Sequence, residues 1–273
     1  MAHEYYQYNK EQLLKNPKIP LICMEKNEDV FRQMAKQMVE EIQEHNAKGE
    51  KTVLICPVGP VGQYPYFVDL VNTQQISLKQ VWFINMDEYL DSDWNWIAAD
   101  HPLSFRGFME RNVYTKINPE LLMPKEQRVF PDPKQTEVIP KLIEELGGVD
   151  IVFGGIGING HVAFNEADPS LSKEAFLAQK TRTLAITPET RTANAIGDFH
   201  GALEDMPENC VTIGFYEIAH ARKIRLGCFR NWHRGVVRRA AYGEASSEFP
   251  VTLLQNHPDI TLTFTDFVAS LED

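Results

Sequence analysis

The sequence predicts an α/β fold, a mostly parallel sheet with helices on both faces. Short apolar runs rich in β-branched residues recur at 52–56, 81–84, 149–153, 211–215, 224–229 and 260–264. Such runs are the signature of buried strands. Helical-period segments lie between them, and strands alternating with helices imply a parallel sheet wrapped on both sides. Several runs also end in glycines or polar side chains, which is how open α/β sheets build sites at the carboxyl ends of their strands.

Residues 1–26 are polar and weakly periodic and read as an N-terminal extension, leaving 27–273 as a single domain. A helix is expected over 28–46. There Val30, Phe31, Met34, Met38, Val39 and Ile42 recur at helical spacing, with Asn27 as the cap. The strand at 52–56 runs into the turn Pro57-Val58-Gly59-Pro60-Val61-Gly62, followed by a helix near 66–72. The strand at 81–84 ends in Asn85-Met86-Asp87-Glu88-Tyr89, and a loop leads to a helix over 103–113. A helix over 134–146 carries Pro140 as an irregularity.

After the strand at 149–153, a strand is expected at 183–186. A helix is expected next at 189–196, with Pro188 at a first-turn position. Strands at 211–215 and 224–229 flank a short helical piece. A helix over 232–241, Leu253-Leu254 and the strand at 260–264 complete the chain. Internal repeats, low-complexity blocks and long linkers are absent.

The 273 residues and 43% hydrophobic content suit one large α/β domain with a substantial core. A net charge of -11 argues against nucleic acid or an anionic membrane as partner. A small anionic ligand stays open, because local arginines can dominate a pocket. Cys23, Cys56, Cys210 and Cys228 are scattered, mostly inside apolar runs, and read as buried reduced thiols. No apolar run approaches the ~18 residues of a membrane span. The polar N-terminus lacks a signal-peptide core, so a cytoplasmic protein is expected.

The richest stretch is 149–166, VDIVFGGIGINGHVAFNE. Its strand breaks into Gly154, Gly155, Gly157 and Gly160, then presents Asn159, His161, Asn165 and Glu166. The glycines match G-x-G-x-x-G, a dinucleotide fingerprint. The next residues, His161 to Pro169, are however not the amphipathic helix that would place a dipole at a pyrophosphate. Nor does an acidic residue end a strand at the expected offset. A reaction site fits better than a cofactor turn. His161 and Glu166 lie five apart, and a neighbouring carboxylate orients an imidazole for general acid–base work. A third ligand at useful spacing is missing, so no metal is expected there.

Asp87 and Glu88 end another strand, and they would share a crevice with His161 if the two strands lie close. Helix capping is the plainer alternative for this acidic pair. Asp91 and Asp93 read as solvated loop charge rather than a divalent-metal cluster. Arg191, Arg234, Arg238 and Arg239 are the basic candidates, and Trp94, Trp96 and Trp232 serve either packing or a ligand wall.

Four motifs in this order carry a family resemblance: 85–89 (NMDEY), 101–105 (HPLSF), 154–166 (GGIGINGHVAFNE) and 190–194 (TRTAN). Together they resemble glucosamine-6-phosphate deaminase, with similarity from about residue 28 to the end. The resemblance implies a modified Rossmann-like sheet shared with ribose-5-phosphate isomerase and 6-phosphogluconolactonase. It also implies ring opening, aldose–ketose isomerisation and release of ammonia from an amino-sugar phosphate.

Carried across by position, Asp87 is the base at carbon 2, His161 opens the ring, and Asn159 and Glu166 support it. Some members have aspartate where this chain has Asn159. Neither proton transfer calls for a metal or a nicotinamide, so no cofactor is expected. Gly59, Gly62, Gly155 and Gly157 are the candidate substrate-binding turn positions, and glycine-turn amides suit a developing enolate oxygen. Arg191 and Arg234 are the candidate cations. The family often forms hexamers, which leaves a homo-oligomer open.

Two departures stand out. The family's phosphate loop resembles T-G-G-T-P, whereas here Pro60 removes an amide donor and the threonines are gone. The last arginine of the family's T-R-x-A-N-S-R is Ile196, and a later lysine is Arg234, which can still hold an anion bidentately. Losing an arginine–phosphate pair costs on the order of a few kcal/mol. The substrate is therefore expected to differ at its far end, as another amino-sugar phosphate or an anion held differently. The rival readings are a sugar-phosphate lactone hydrolase on the same fold and a non-catalytic sugar sensor.

Overall fold

The computed structural model describes residues 3–271. In chain order the first elements are α1 (Lys10–Leu14), β1 (Leu21–Met24), α2 (Asn27–Lys48), β2 (Thr52–Cys56), α3 (Gln63–Thr73), β3 (Val81–Asn85) and β4 (Asp87–Leu90). Next come α4 (Phe105–Asn112), β5 (Arg128–Val129), α5 (Val138–Glu145), β6 (Ile151–Gly154), α6 (Lys173–Leu177), β7 (Arg182–Ala185) and α7 (Pro188–Asp198). The last are β8 (Asn209–Thr212), α8 (Phe215–Ala219), β9 (Lys223–Cys228), α9 (His233–Tyr242), β10 (Ile260–Thr265) and α10 (Asp266–Ala269).

Seven strands form a parallel sheet in the order β1-β10-β9-β6-β2-β3-β5. Alternating side chains feed two cores, as the period of a strand requires. Val53 and Ile55 of β2 enter one core with Val152, Ile224, Leu226 and the α9 residues Val236 and Val237. Leu54 and Cys56 enter the other with Phe83, Phe153, Phe67 of α3 and Met34 and Met38 of α2. Helices thus cover both faces, as the sequence predicts. A second, antiparallel sheet, β4-β8-β7, is an addition that the apolar runs did not disclose. It caps a third apolar cluster that includes Tyr89, Leu103, Phe164, Ile186 and Cys210.

Some element edges differ from expectation. Asn27 is the first residue of α2 rather than its cap. Lys26 takes that place, and the Asp29 carboxylate accepts its backbone N–H at 3.1 Å. The helix expected from 134 begins at 138, which puts Pro140 in the first turn, where its missing N–H has no intrahelical partner to lose. Leu253-Leu254 belong to a 3₁₀ turn, Pro250–Leu254. Among the described residues no helix is long and apolar enough to cross a membrane.

Part of the stretch read as an extension is built into the domain. Leu21–Met24 pairs in parallel with β10 as an edge strand, and Leu13 and Ile19 are fully buried. Its anchor is Arg238 of α9, a fully buried side chain. Its guanidinium donates to the carbonyls of Tyr8 at 2.7 and 2.9 Å, Arg234 at 2.8 Å, Val268 at 3.1 Å and Ala269 at 2.7 Å. One side chain therefore ties both terminal segments to the same helix. Arg238→Met keeps much of the volume but leaves buried carbonyls without donors. Its stability is expected to fall by about 3 kcal/mol or more. A denaturant midpoint equal to that of the parent would refute the anchor.

Candidate active site

The sheet changes direction between β2 and β6. From β2 the chain progresses outward through β3 to β5, and from β6 it progresses the other way through β9 to β10. Such a switch point opens a crevice at the carboxyl ends of the strands. Residues 57–62 leave β2 there, Asp87 lies two residues beyond β3, and the bend at 155–161 leaves β6. Gly155 packs against the first of these loops: a Cβ on it would lie 3.3 Å from Pro60 Cδ and 3.4 Å from the Gly59 carbonyl oxygen. Gly62 backs onto Phe31, where a Cβ would fall 2.4 Å from the ring. Gly59 and Gly62 thus shape the loop, and Gly155 lets it approach the strand.

The bend is closed by its own backbone. Gly157 N–H donates to His161 O at 2.8 Å, and Gly160 N–H donates to Gly157 O at 2.9 Å. Gly160 has φ +83°, which a side chain would strain. A Cβ on Gly157 would lie 1.9 to 2.3 Å from the His161 ring, so the missing side chain is the seat of the imidazole. Ala163 takes φ +56°, an uncommon conformation for a residue with a Cβ, held between buried Val162 and Phe164.

His161 Nδ1 is 2.7 Å from Asn159 Oδ1, 3.3 Å from Glu166 Oε2 and 3.3 Å from Thr190 Oγ1. Glu166 is only 8% exposed, so its charge needs donors. Oε2 receives Asn159 Nδ2 at 2.7 Å, Thr190 Oγ1 at 3.0 Å and Thr187 Oγ1 at 3.2 Å. Burial works to raise the Glu166 pKa. The His161 charge and the hydrogen bonds from His161, Asn159 and Thr190 outweigh it and hold the carboxyl below the ordinary glutamate value. With Nδ1 engaged on this side, Nε2 is the ring nitrogen left to serve a substrate.

A short relay of contacts links this couple to Asp87. Phe164 stacks on the His161 ring at 6.3 Å, and its N–H donates to Thr212 Oγ1 at 3.1 Å. Thr212 is the register partner of Asp87 across β4 and β8. The buried Cys210 thiol feels both the Asp87 and the Glu166 charge. Asp87 is 7% exposed. Burial first, and the adjacent Glu88 charge second, push its carboxyl well above the usual carboxylate range.

Glu88, fully buried, is instead surrounded by donors. It accepts the N–H groups of Tyr89, Phe105 and Arg106, the Ser104 hydroxyl at 3.0 Å and Arg106 Nε at 3.2 Å. It is fixed at the start of α4, the capping alternative for this acidic pair. Asp91 is likewise spent locally, accepting the N–H groups of Asp93 and Asn95. Trp96 is a packing residue: it bonds the Pro131 carbonyl and lies under the Arg106 guanidinium.

The two candidate cations each have partners of their own in the fold. Arg191 bonds Glu208 at 3.0 Å and the Met206 carbonyl at 3.2 Å. Arg234 lies on the Phe267 ring at 4.4 Å and bonds the Phe267 carbonyl at 3.2 Å. Sequence reasoning missed Thr187 and Thr190. Thr187 had a signal, since a threonine before Pro188 is a natural helix cap, and its side chain does accept the Thr190 N–H. Thr190 opens the 190–194 motif, but only the fold brings α7 to Glu166.

No protein-family model matches this sequence. Among curated proteins it is 32% identical over 210 residues to glucosamine-6-phosphate deaminase of Caenorhabditis elegans, covering 76% of this chain and 74% of that one. It is 30% identical over 259 residues to glucosamine-6-phosphate deaminase of Hahella chejuensis, covering 92% of each. Among solved structures it resembles a monomeric glucosamine-6-phosphate deaminase with a TM-score of 0.80 and 25% identity, over 93% of this chain and 100% of that one. Its likeness to 6-phosphogluconolactonase from Trypanosoma cruzi has a TM-score of 0.65 at 16% identity, over 93% and 97% of the two chains, and is a likeness of fold.

His233 is the second buried histidine of this region, and sequence reasoning passed over it. Its Nδ1 accepts the N–H groups of Phe229 and Arg230, each at 2.8 Å, while Nε2 donates to the Ile156 carbonyl at 3.0 Å. It thereby fastens the loop after β9 to the bend after β6. Burial, aided by the Arg230 charge, drives its pKa from 6.5 down to about 3, against the pull of the Ile156 hydrogen bond. A depressed pKa means the folded state favours neutral imidazole. The His233 contribution to stability is therefore complete above pH 6.5 and is lost as the pH falls toward 3. Unfolding free energies of parent and His233→Gln, measured across that interval, are expected to converge as the pH drops. A constant difference between them would contradict the assignment.

Proposed function

The chain belongs to the glucosamine-6-phosphate deaminase family, and on that premise we propose how its crevice works on an amino sugar. The reaction is deaminating isomerisation of glucosamine 6-phosphate or a related amino sugar. It consumes one water and yields a ketose and ammonia. The observation that carries the residue assignment is the pairing of two unlike groups at one switch point: a carboxyl of raised pKa and an imidazole fixed on its far nitrogen.

His161 Nε2 takes the proton of the anomeric hydroxyl and returns one to the ring oxygen, opening the pyranose to the aldehyde. Glu166, Asn159 and Thr190 hold the ring and stabilise its charged form during that transfer. Asp87 then removes the proton from carbon 2, giving an enolamine, and delivers a proton to carbon 1. The nitrogen is left as an iminium on carbon 2. Water adds there, and ammonia departs. A base for a carbon acid works best with a pKa near the operating pH, and a buried carboxyl with a like charge beside it has moved in that direction.

The fold shared with 6-phosphogluconolactonases does not by itself supply a lactone hydrolase, and such a reaction has little use for a raised carboxyl at Asp87. A cytoplasmic setting belongs to the same reading, supported by Cys23, Cys56, Cys210 and Cys228 being free thiols.

Asp87→Asn is expected to lower kcat for ammonia release by about 10²- to 10⁴-fold while the substrate still binds. Unchanged turnover would remove Asp87 from the mechanism. Because Asp87 must be ionised to act and its pKa is raised, the acid limb of kcat/KM is expected above the ordinary aspartate value of 3.8. A profile flat down to pH 4 would contradict that role.

A further inference from the structure

We propose that Arg182 is a positioning residue that acts through Asn165 to set the placement of the His161–Glu166 couple relative to Asp87. The proposal deepens the deaminase reading above and rests on it.

The antiparallel sheet β4-β8-β7 supplies the frame. Asp87 is opposite Thr212 across β4 and β8, and Arg182 is opposite Thr212 across β7 and β8. Residues opposite one another in a ladder point to the same face of the sheet. Asp87, Thr212 and Arg182 therefore stand in line on one face. The Cys210 thiol, two residues along β8, accordingly feels the charges of Asp87, Glu166 and Arg182. The second and third members of the line hold consecutive residues of the segment after the glycine bend. Thr212 Oγ1 accepts the Phe164 N–H at 3.1 Å, and Arg182 Nη1 donates to Asn165 Oδ1 at 2.7 Å. His161 lies just before this pair in the chain, and Glu166 directly after it. The proton-transfer couple is thus indexed to the row of side chains that Asp87 begins.

Asn165 is the clasp. It is fully buried, and its Nδ2 donates to the Val162 carbonyl at 3.0 Å and the Ile213 carbonyl at 3.1 Å. The first bond closes the turn that contains Ala163, the residue at φ +56°. The second crosses to Ile213, whose N–H donates to the Met86 carbonyl at 2.7 Å. One residue therefore joins the turn to the neighbour of Asp87. A buried amide could also face these carbonyls with its oxygen. A guanidinium can only donate, so Arg182 takes Oδ1 and leaves Nδ2 for the two carbonyls. Arg182 is costly as a mere filler. Burial pushes its pKa below the usual arginine value. Its other hydrogen bond, to the Lys180 carbonyl, is long at 3.5 Å. An apolar side chain of similar volume would serve packing alone without burying a charge.

The test is ammonia release from glucosamine 6-phosphate by the full chain. Arg182→Met keeps much of the volume and removes the donor. Its kcat is expected to fall by about 10- to 100-fold, the order of loss that follows a small misplacement of reacting groups. KM is expected to stay within about threefold, since alignment and not binding is what changes. Arg182→Lys restores a cationic donor and is expected to recover part of kcat. Asn165→Ala is expected to be slow as well, and the double variant no slower than Asn165→Ala alone, because Arg182 acts through that residue. Parental kcat in Arg182→Met, a loss confined to KM, or additive losses in the double variant overturn the proposal and leave the deaminase reading intact. Should Arg182→Met fail to fold, Asn165→Asp decides: it keeps the shape and the Arg182 partner but sets an acceptor against two carbonyls. The same loss of kcat at constant KM is expected there, and parental kcat overturns the proposal. No ammonia from the parent overturns both readings.

Discussion

Glu166 is a carboxylate with almost no access to water, and much of the site stems from how its charge is satisfied. A buried anion without donors is too costly to keep ionised. Here Asn159 comes from the glycine bend, Thr187 and Thr190 come from α7, and His161 shares the same oxygen. The first turn of α7 must therefore sit over the end of β6. That placement also stations the rest of α7 along the crevice. One electrostatic requirement sets both the orientation of the imidazole and the position of α7.

Adjacent acids at 87 and 88 show how position decides chemistry. Both are buried at the start of β4. Glu88 reaches the start of α4 and is covered by amide, hydroxyl and guanidinium donors, so it fixes structure. Asp87 faces the other way along the strand, where burial and its neighbour's charge act on it without such compensation. A stable scaffold would be expected to pair Asp87 too. Leaving it poised is what the proposed general-base role requires.

The parts of this arrangement readable from sequence are the local ones. Apolar runs at 52–56, 81–84 and 149–153 give β2, β3 and β6, and the glycine bend with Asn159, His161 and Glu166 is a contiguous string. What depends on sheet order was not readable: the antiparallel cap joining Asp87 to Thr212, the approach of Thr190 to Glu166, and the clasp of His233 on Ile156. The edge strand Leu21–Met24 escaped for another reason. Its residues are only partly buried, so the polar context outweighed a short apolar run. For Arg191 and Arg234, sequence reveals charge but not partners. In the fold each already has one.

The division of labour comes from this anchoring. Asp87 follows β3, and Asn159 and His161 follow β6; both strands are held on both sides in the sheet, and the bend carrying the latter two is closed by its own backbone hydrogen bonds. The second half of α7 and the loop after β9 instead meet through the Arg230–Asp198 ion pair, while His233 ties that loop to the bend after β6. Proton transfer at carbons 1 and 2 asks nothing of position 6 beyond binding energy.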